Sequence, residues 1–190
     1  LVLGREHVAD DVLAEVGEAA EGRRLGLLGH VGPDRRVLQA ADGEIYVADG
    51  YGNSSVHRFA ADGTLIATWG GPGSEQGAFT TPHAIWVDRF DRVLVGDREN
   101  NRVQVFDRDG AFLAEWGDFY HPMQIWVDDR DMVFVTDQIP RISLLDRDGR
   151  LVGRCRGAIN GAHGLSGDAE GNLYLAELPP QEITKLERLT

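Results

Sequence analysis

The sequence predicts an all-β chain of the β-propeller type, with about four blades of four-stranded antiparallel sheet. Three observations carry this. Asp49, Asp97, Asp137 and Glu177 recur at intervals of 48, 40 and 40 residues. Each closes a short apolar run: Ile45 to Ala48, Val93 to Gly96, Val133 to Thr136 and Leu173 to Ala176. Asp-Gly pairs at 62–63, 109–110 and 148–149 then punctuate the runs that follow. Short β-branched and aromatic runs bounded by such turns are strands of hairpins. Four strands in about 40–45 residues make one propeller blade. A β-sandwich predicts no repeat of that length.

In chain order, residues 1–34 stand outside the repeat and read as an irregular or partly helical lead-in, Ala- and Glu-rich from Asp10 to Arg24. Residues 35–190 hold the blades, with units at about 35–70, 82–117, 122–157 and 162–189. Ile45, Val93, Val133 and Leu173 are expected to be equivalent and buried. The first strand of a unit is read in Ala84 to Val87 and Gln124 to Val127, the third in Val103 to Phe106 and Ile142 to Leu145, and the last in Leu65 to Trp69 and Phe112 to Trp116. Trp69 matches Trp116 and Trp86 matches Trp126, a recurrence in register that marks packing between blades. Gly70 to Gly77 lengthens the first connection and reads as a flexible linker. No Lys-Ser/Thr follows it, so it is not a phosphate loop.

Composition excludes several functions. Nineteen Lys and Arg against 31 Asp and Glu give a formal charge of −12, which argues against nucleic-acid binding, since that affinity is largely cation–phosphate attraction. No apolar run approaches the ~18–20 residues of a membrane-spanning helix. Cys155 is the single cysteine, so neither an intrachain disulfide nor a cysteine-cluster zinc site forms. The chain begins with Leu1 rather than Met, as expected of a stretch inside a longer reading frame.

Superposing the units exposes the positions that carry chemistry. Aligning Pro82 with Pro122 puts His83, Met123 and His163 at one blade position, with Arg35 there in the first unit. This position opens the innermost strand and faces the central channel. Two imidazoles there could converge on one metal ion, since His suits zinc; equally, each could bond a neighbouring loop. His121, His57, His7 and His30 read as rim or structural residues. The hairpin loops after the acids, Asp49 to Ser55 and Asp97 to Arg102, lie at one end of the channel, where function sits on a rigid scaffold. Gly50 and Gly52 permit a bent backbone that presents Tyr51. Arg98 can pair with Glu99 or with a neighbouring blade. The same Asp and Asn residues also serve as ordinary turn chemistry.

The repeat resembles NHL repeats. More specifically, Asp49-Gly50-Tyr51-Gly52-Asn53-Ser54, then Trp69-Gly70, Thr81-Pro82-His83 and Asp97-Arg98-Glu99-Asn100-Asn101-Arg102 resemble the peptidyl-α-hydroxyglycine α-amidating lyase family, from about Ala41 to Leu189. The resemblance implies cleavage of a small peptide-like substrate's C-terminal α-hydroxyglycine into a peptide amide and glyoxylate. It implies zinc held by His83 and His163, Tyr51 as the base, and Arg98 holding substrate or tuning the tyrosine. It also implies an extracytoplasmic or secreted location.

The chain departs from the family in three ways. The family has six blades and three zinc histidines, so this chain reads as an N-terminally incomplete member whose first histidine blade lies upstream. Ser55 stands where an Arg usually follows Asn-Ser. Gly164 follows His163 where some members place an acidic calcium ligand, which argues against calcium. Open blade edges would give a route to self-association. The alternative is a non-catalytic NHL propeller that binds a partner protein on its channel face. A calcium-dependent lactone hydrolase would need a carboxylate centre that these residues do not assemble.

Overall fold

A computed structural model describes residues 3–7, 36–156, 161–178 and 182–188. Its strands are β1 (Leu3–His7), β2 (Arg36–Gln39), β3 (Ile45–Asp49), β4 (Ser55–Phe59), β5 (Leu65–Gly70), β6 (Pro82–Val87), β7 (Val93–Asp97), β8 (Arg102–Phe106), β9 (Phe112–Trp116), β10 (Pro122–Val127), β11 (Val133–Asp137), β12 (Arg141–Leu145), β13 (Leu151–Arg156), β14 (Ala162–Gly167), β15 (Leu173–Glu177) and β16 (Ile183–Arg188). They form four antiparallel sheets, ordered β2-β3-β4-β5, β6-β7-β8-β9, β10-β11-β12-β13 and β14-β15-β16-β1. This is the four-bladed propeller that the repeat predicts.

The turns explain why the runs become hairpins. In the turn between β8 and β9, the Asp107 carboxylate accepts the amides of Asp109 and Ala111, at 3.0 and 2.8 Å. Asp128 does the same for Arg130 and Met132, and Asp146 for Asp148 and Arg150. The fourth turn position is left-handed, taken by Gly110 at φ +87° and Gly149 at φ +82°, but by Asp91 and Asp131 at +60° and +62°. Aspartate tolerates that conformation better than most residues, so the same turn forms where the Asp-Gly signal is missing.

Among the described residues three apolar cores join the blades in sequence. Tyr46, Val56, Phe79, Ile85, Val93, Val95 and Phe106 lie between blades one and two. Leu94, Val103, Val105, Ile125, Val133 and Val135 lie between two and three. Phe134, Ile142, Leu165, Leu173, Leu175 and Leu186 lie between three and four. Trp69 and Trp116 work between blades as expected: a Cβ on Gly110 would come within 2.7 Å of Trp69, and one on Gly149 within 2.3 Å of Trp116.

Two details differ from expectation. Ile45, Val93, Val133 and Leu173 occupy equivalent registers, opposite Phe59, Phe106, Leu145 and Leu186. Val93, Val133 and Leu173 are buried, but Ile45 is only half-buried. Its three counterparts face the preceding blade, and among the described residues no apolar core joins blade four to blade one.

The connection from Gly70 to Gly77 is not slack. Gly73 N donates to the Phe79 carbonyl and Phe79 N to the Gly71 carbonyl across it, Arg102 Nη2 donates to the Glu75 and Ala78 carbonyls, and Gln104 Nε2 donates to the Ala78 carbonyl. The buried acid Asp97 organises this clasp by accepting from Thr80 N, Asn100 Nδ2 and Arg102 Nε at 2.7–2.8 Å. Asp97 is thus a structural anchor.

Of the lead-in, Leu3–His7 is β1, paired antiparallel to β16 from Leu3 opposite Arg188 to His7 opposite Thr184. An N-terminal strand therefore completes the last blade. The Ala- and Glu-rich segment from Asp10 to Arg24, read as irregular or partly helical, lies outside the described residues, as do His30 and Arg35.

Candidate functional site

The inner strands β6, β10 and β14 each begin with a register shift, at Pro82/Ala84, Pro122/Gln124 and Ala162/Gly164. The extra residue is His83, Met123 and His163 in turn. Such a bulge re-aims a side chain without ending the strand, and here it brings histidines from blades two and four together. Their ring centroids are 5.1 Å apart and their planes 89° to each other.

His83 is 3% exposed. Its Nδ1–H donates to the Met123 carbonyl at 2.9 Å, which fixes the tautomer and leaves Nε2 as the lone-pair nitrogen. Burial pushes its pKa down to about 4; the Met123 carbonyl opposes this, and the charges of Arg36 and Arg98 add to it. His163 is also shifted down, by burial first and then by the same two arginines. Both rings are neutral at physiological pH.

Tyr51 and Arg98 come from adjacent hairpin loops, after β3 and β7. The Tyr51 ring centroid lies 6.2 Å from that of His83, and Arg98 Nη1 donates to the Tyr51 hydroxyl at 3.1 Å. Arg98 Nε also lies 3.6 Å from Glu99. The glycines beside Tyr51 matter through closeness. A Cβ on Gly50 would stand 2.4 Å from the Pro82 carbonyl oxygen, and one on Gly52 2.7 Å from Asp49 Oδ1. Gly50 therefore lets the Tyr51 loop press against the strand that carries His83. The structure brings Tyr51, His83, Arg98 and His163 to one end of the channel. His121 stays on the rim, with Nδ1 2.6 Å from Gln138 Oε1 and its ring stacked on Tyr120.

One participant was not expected from the sequence. Arg36 Nη2, from the first residue of β2, lies 2.9 Å from Nδ1 and 3.1 Å from Nε2 of His163. A guanidinium only donates, so this contact uses the lone pair of the imidazole. In register Arg36 faces Ala48 as Ala84 faces Gly96 and Gly164 faces Ala176. The one signal was a long cation at a strand position that is Ala, Gln or Gly elsewhere.

Zinc can be tested against these donors. Among the described residues no three His, Cys, Asp or Glu are grouped to hold a metal ion. His83 is dressed as a ligand, since its second nitrogen bonds a carbonyl in the way that orients metal-bound histidines. His163 is not, because Arg36 holds its lone pair. As arranged, the pair does not fit a dication.

Comparison with known proteins agrees with the fold. Residues 79–106 match the NHL repeat model. The chain is a four-bladed β-propeller carrying an NHL repeat. The chain is 34% identical over 82 residues to a peptidylglycine alpha-amidating monooxygenase of Rattus norvegicus, covering 40% of this chain and 8% of that protein. It is 41% identical over 73 residues to a probable peptidyl-alpha-hydroxyglycine alpha-amidating lyase of Caenorhabditis elegans, covering 37% and 21%. It is 36% identical over 81 residues to NHL repeat-containing protein 3 of Homo sapiens, covering 41% and 23%. The aligned segments thus span less than a quarter of each relative. A streptogramin B lyase structure superposes with a TM-score of 0.63 at 15% identity, covering 81% of this chain and 54% of that one; at that identity it speaks for the fold alone.

Proposed function

We propose that this end of the channel is a lyase site for peptides ending in α-hydroxyglycine, releasing the peptide amide and glyoxylate. The observation that carries the reading is the Arg98–Tyr51 hydrogen bond beside the His83–His163 pair. The similarity to amidating proteins adds to it.

The chemistry is a proton moved from oxygen to nitrogen. Tyr51, whose oxygen Arg98 contacts, serves as the base that takes the proton of the α-hydroxyl. The oxygen's electron pair forms the aldehyde C=O, the C–N bond breaks onto nitrogen, and Tyr51 returns the proton to the departing amide. A base placed within hydrogen-bond reach contributes roughly 10²–10⁴-fold to such a step. Arg98 stabilises negative charge on the phenol oxygen and on the substrate oxygen as it develops, in a site pre-set for that charge. His83, held neutral by burial, offers Nε2 as a fixed acceptor that orients the hydroxyl.

A second reading has its own support in the likeness to NHL repeat-containing protein 3 and in a histidine pair with no third member among the described residues. On it, the same face binds a protein partner and catalyses nothing.

Glyoxylate release from a benzoyl-α-hydroxyglycine substrate separates the two. The lyase reading expects release that saturates with substrate and disappears in Tyr51→Phe. The binding-module reading expects release at the buffer rate from both proteins.

A further inference from the structure

The lyase resemblance leads to zinc, whereas the donors at the channel end lead to a guanidinium. We propose that Arg36 is a built-in cation standing where a metal would sit on the His83–His163 pair, so that a borderline dication such as Zn²⁺ or Co²⁺ binds there only when Arg36 leaves His163. This rests on reading that pair as the site, and it adds what controls access to it.

Three observations carry it. Arg36 Nη2 lies 2.9 and 3.1 Å from the two His163 nitrogens, so in either tautomer the nitrogen that carries the lone pair has the guanidinium against it. The histidines are otherwise close enough to share one ion, at 5.1 Å between centroids, and His83 already has its Nδ1 anchored on Met123 with Nε2 turned free. Finally, the long side chain is special to blade one: the same register holds Ala84, Gln124 and Gly164 in the other blades. Guanidinium does not lose its proton in proteins. It therefore competes with a dication through charge repulsion as well as through the lone pair, and it does so at any pH where the fold persists.

The test is calorimetric titration of Zn²⁺ into the 190-residue chain, with Co²⁺ and its visible d–d bands as a reporter of tetrahedral ligation. Wild type is expected to bind weakly, and Arg36→Met at least tenfold more tightly. The gain should vanish when His83→Ala or His163→Ala is added. Arg36→Gln, which keeps a polar side chain, is expected to show the same direction, and far-UV circular dichroism confirms that each variant is folded. Equal affinity of wild type and both Arg36 variants would overturn the proposal. So would the absence of metal binding in folded Arg36→Met and Arg36→Gln. Neither outcome depends on peptide cleavage: tighter metal binding without glyoxylate release would end the lyase reading and leave this one standing, and the converse would do the reverse.

Discussion

Arg98 of blade two donates from Nη1 to the Tyr51 hydroxyl of blade one at 3.1 Å, so neighbouring blades meet in a polar contact at the channel end. The contact forms because Asp49 and Asp97 end equivalent strands, and the loops they start sit side by side. Removing the guanidinium takes away charge stabilisation and substrate positioning together. Arg98→Ala is expected to lower kcat/KM by about 10²-fold, through both kcat and KM. Steady-state glyoxylate assays check this, and an unchanged KM would restrict Arg98 to the chemical step.

Interblade packing makes a separate prediction. Gly149 sits at φ +82° with the Trp116 indole 2.3 Å from where a Cβ would be. Gly149→Ala has to bear a left-handed backbone and push the indole aside. It should cost about 1–3 kcal/mol, lowering Tm by ~2–4 °C per kcal/mol for a chain of this size. Thermal melts followed by tryptophan fluorescence read it directly.

Asp97 is fully buried and its carboxyl is pushed up by burial, with Asn100, Thr80 and Arg102 opposing the shift. Arg102→Met leaves that carboxylate without its charged partner, a loss of about 3–5 kcal/mol at neutral pH. The sign of the pH dependence follows. A carboxyl whose folded pKa is raised binds more protons folded than unfolded, so the variant should regain stability as pH falls toward the ordinary carboxylate value. Urea melts between pH 7 and pH 4 test this, and stability that falls steadily over that range would contradict it.

Glu44 carries the opposite sign. It accepts from Arg58 Nε and Nη2 at 2.7 and 2.8 Å and from Arg108 Nη2 of the next blade at 2.7 Å. These bonds, Arg58 foremost, hold its carboxyl below the usual 4.5. Its contribution is present above that value and is lost as pH falls through the depressed one. Glu44→Gln should destabilise by about 1–3 kcal/mol at pH 7, and the gap from wild type should narrow at low pH.

The blades were legible because each is a local hairpin array whose turns announce themselves, and the repeat places His83, His163, Tyr51 and Arg98 by register alone. Two things were not legible, for one physical reason. Leu3–His7 pairs with Ile183–Arg188 across nearly the whole chain, and five residues reading Leu-Gly-Arg-Glu-His carry no alternation that marks a strand. Arg36 reaches His163 from 127 positions away, and that contact depends on how the array curves rather than on any local pattern. The flexible linker expected from Gly70 to Gly77 failed differently. Its glycines suggested freedom, but the groups that pin it, Arg102 and Gln104, lie in the next blade.

The most direct measurement is glyoxylate release by Tyr51→Phe beside wild type on benzoyl-α-hydroxyglycine. Phenylalanine keeps the ring against His83 and removes only the oxygen that Arg98 contacts. If Tyr51 is the base, wild type turns over substrate, and the variant keeps its melting temperature and substrate affinity while kcat falls by about 10²–10⁴-fold. A variant that releases glyoxylate at the wild-type rate would contradict it.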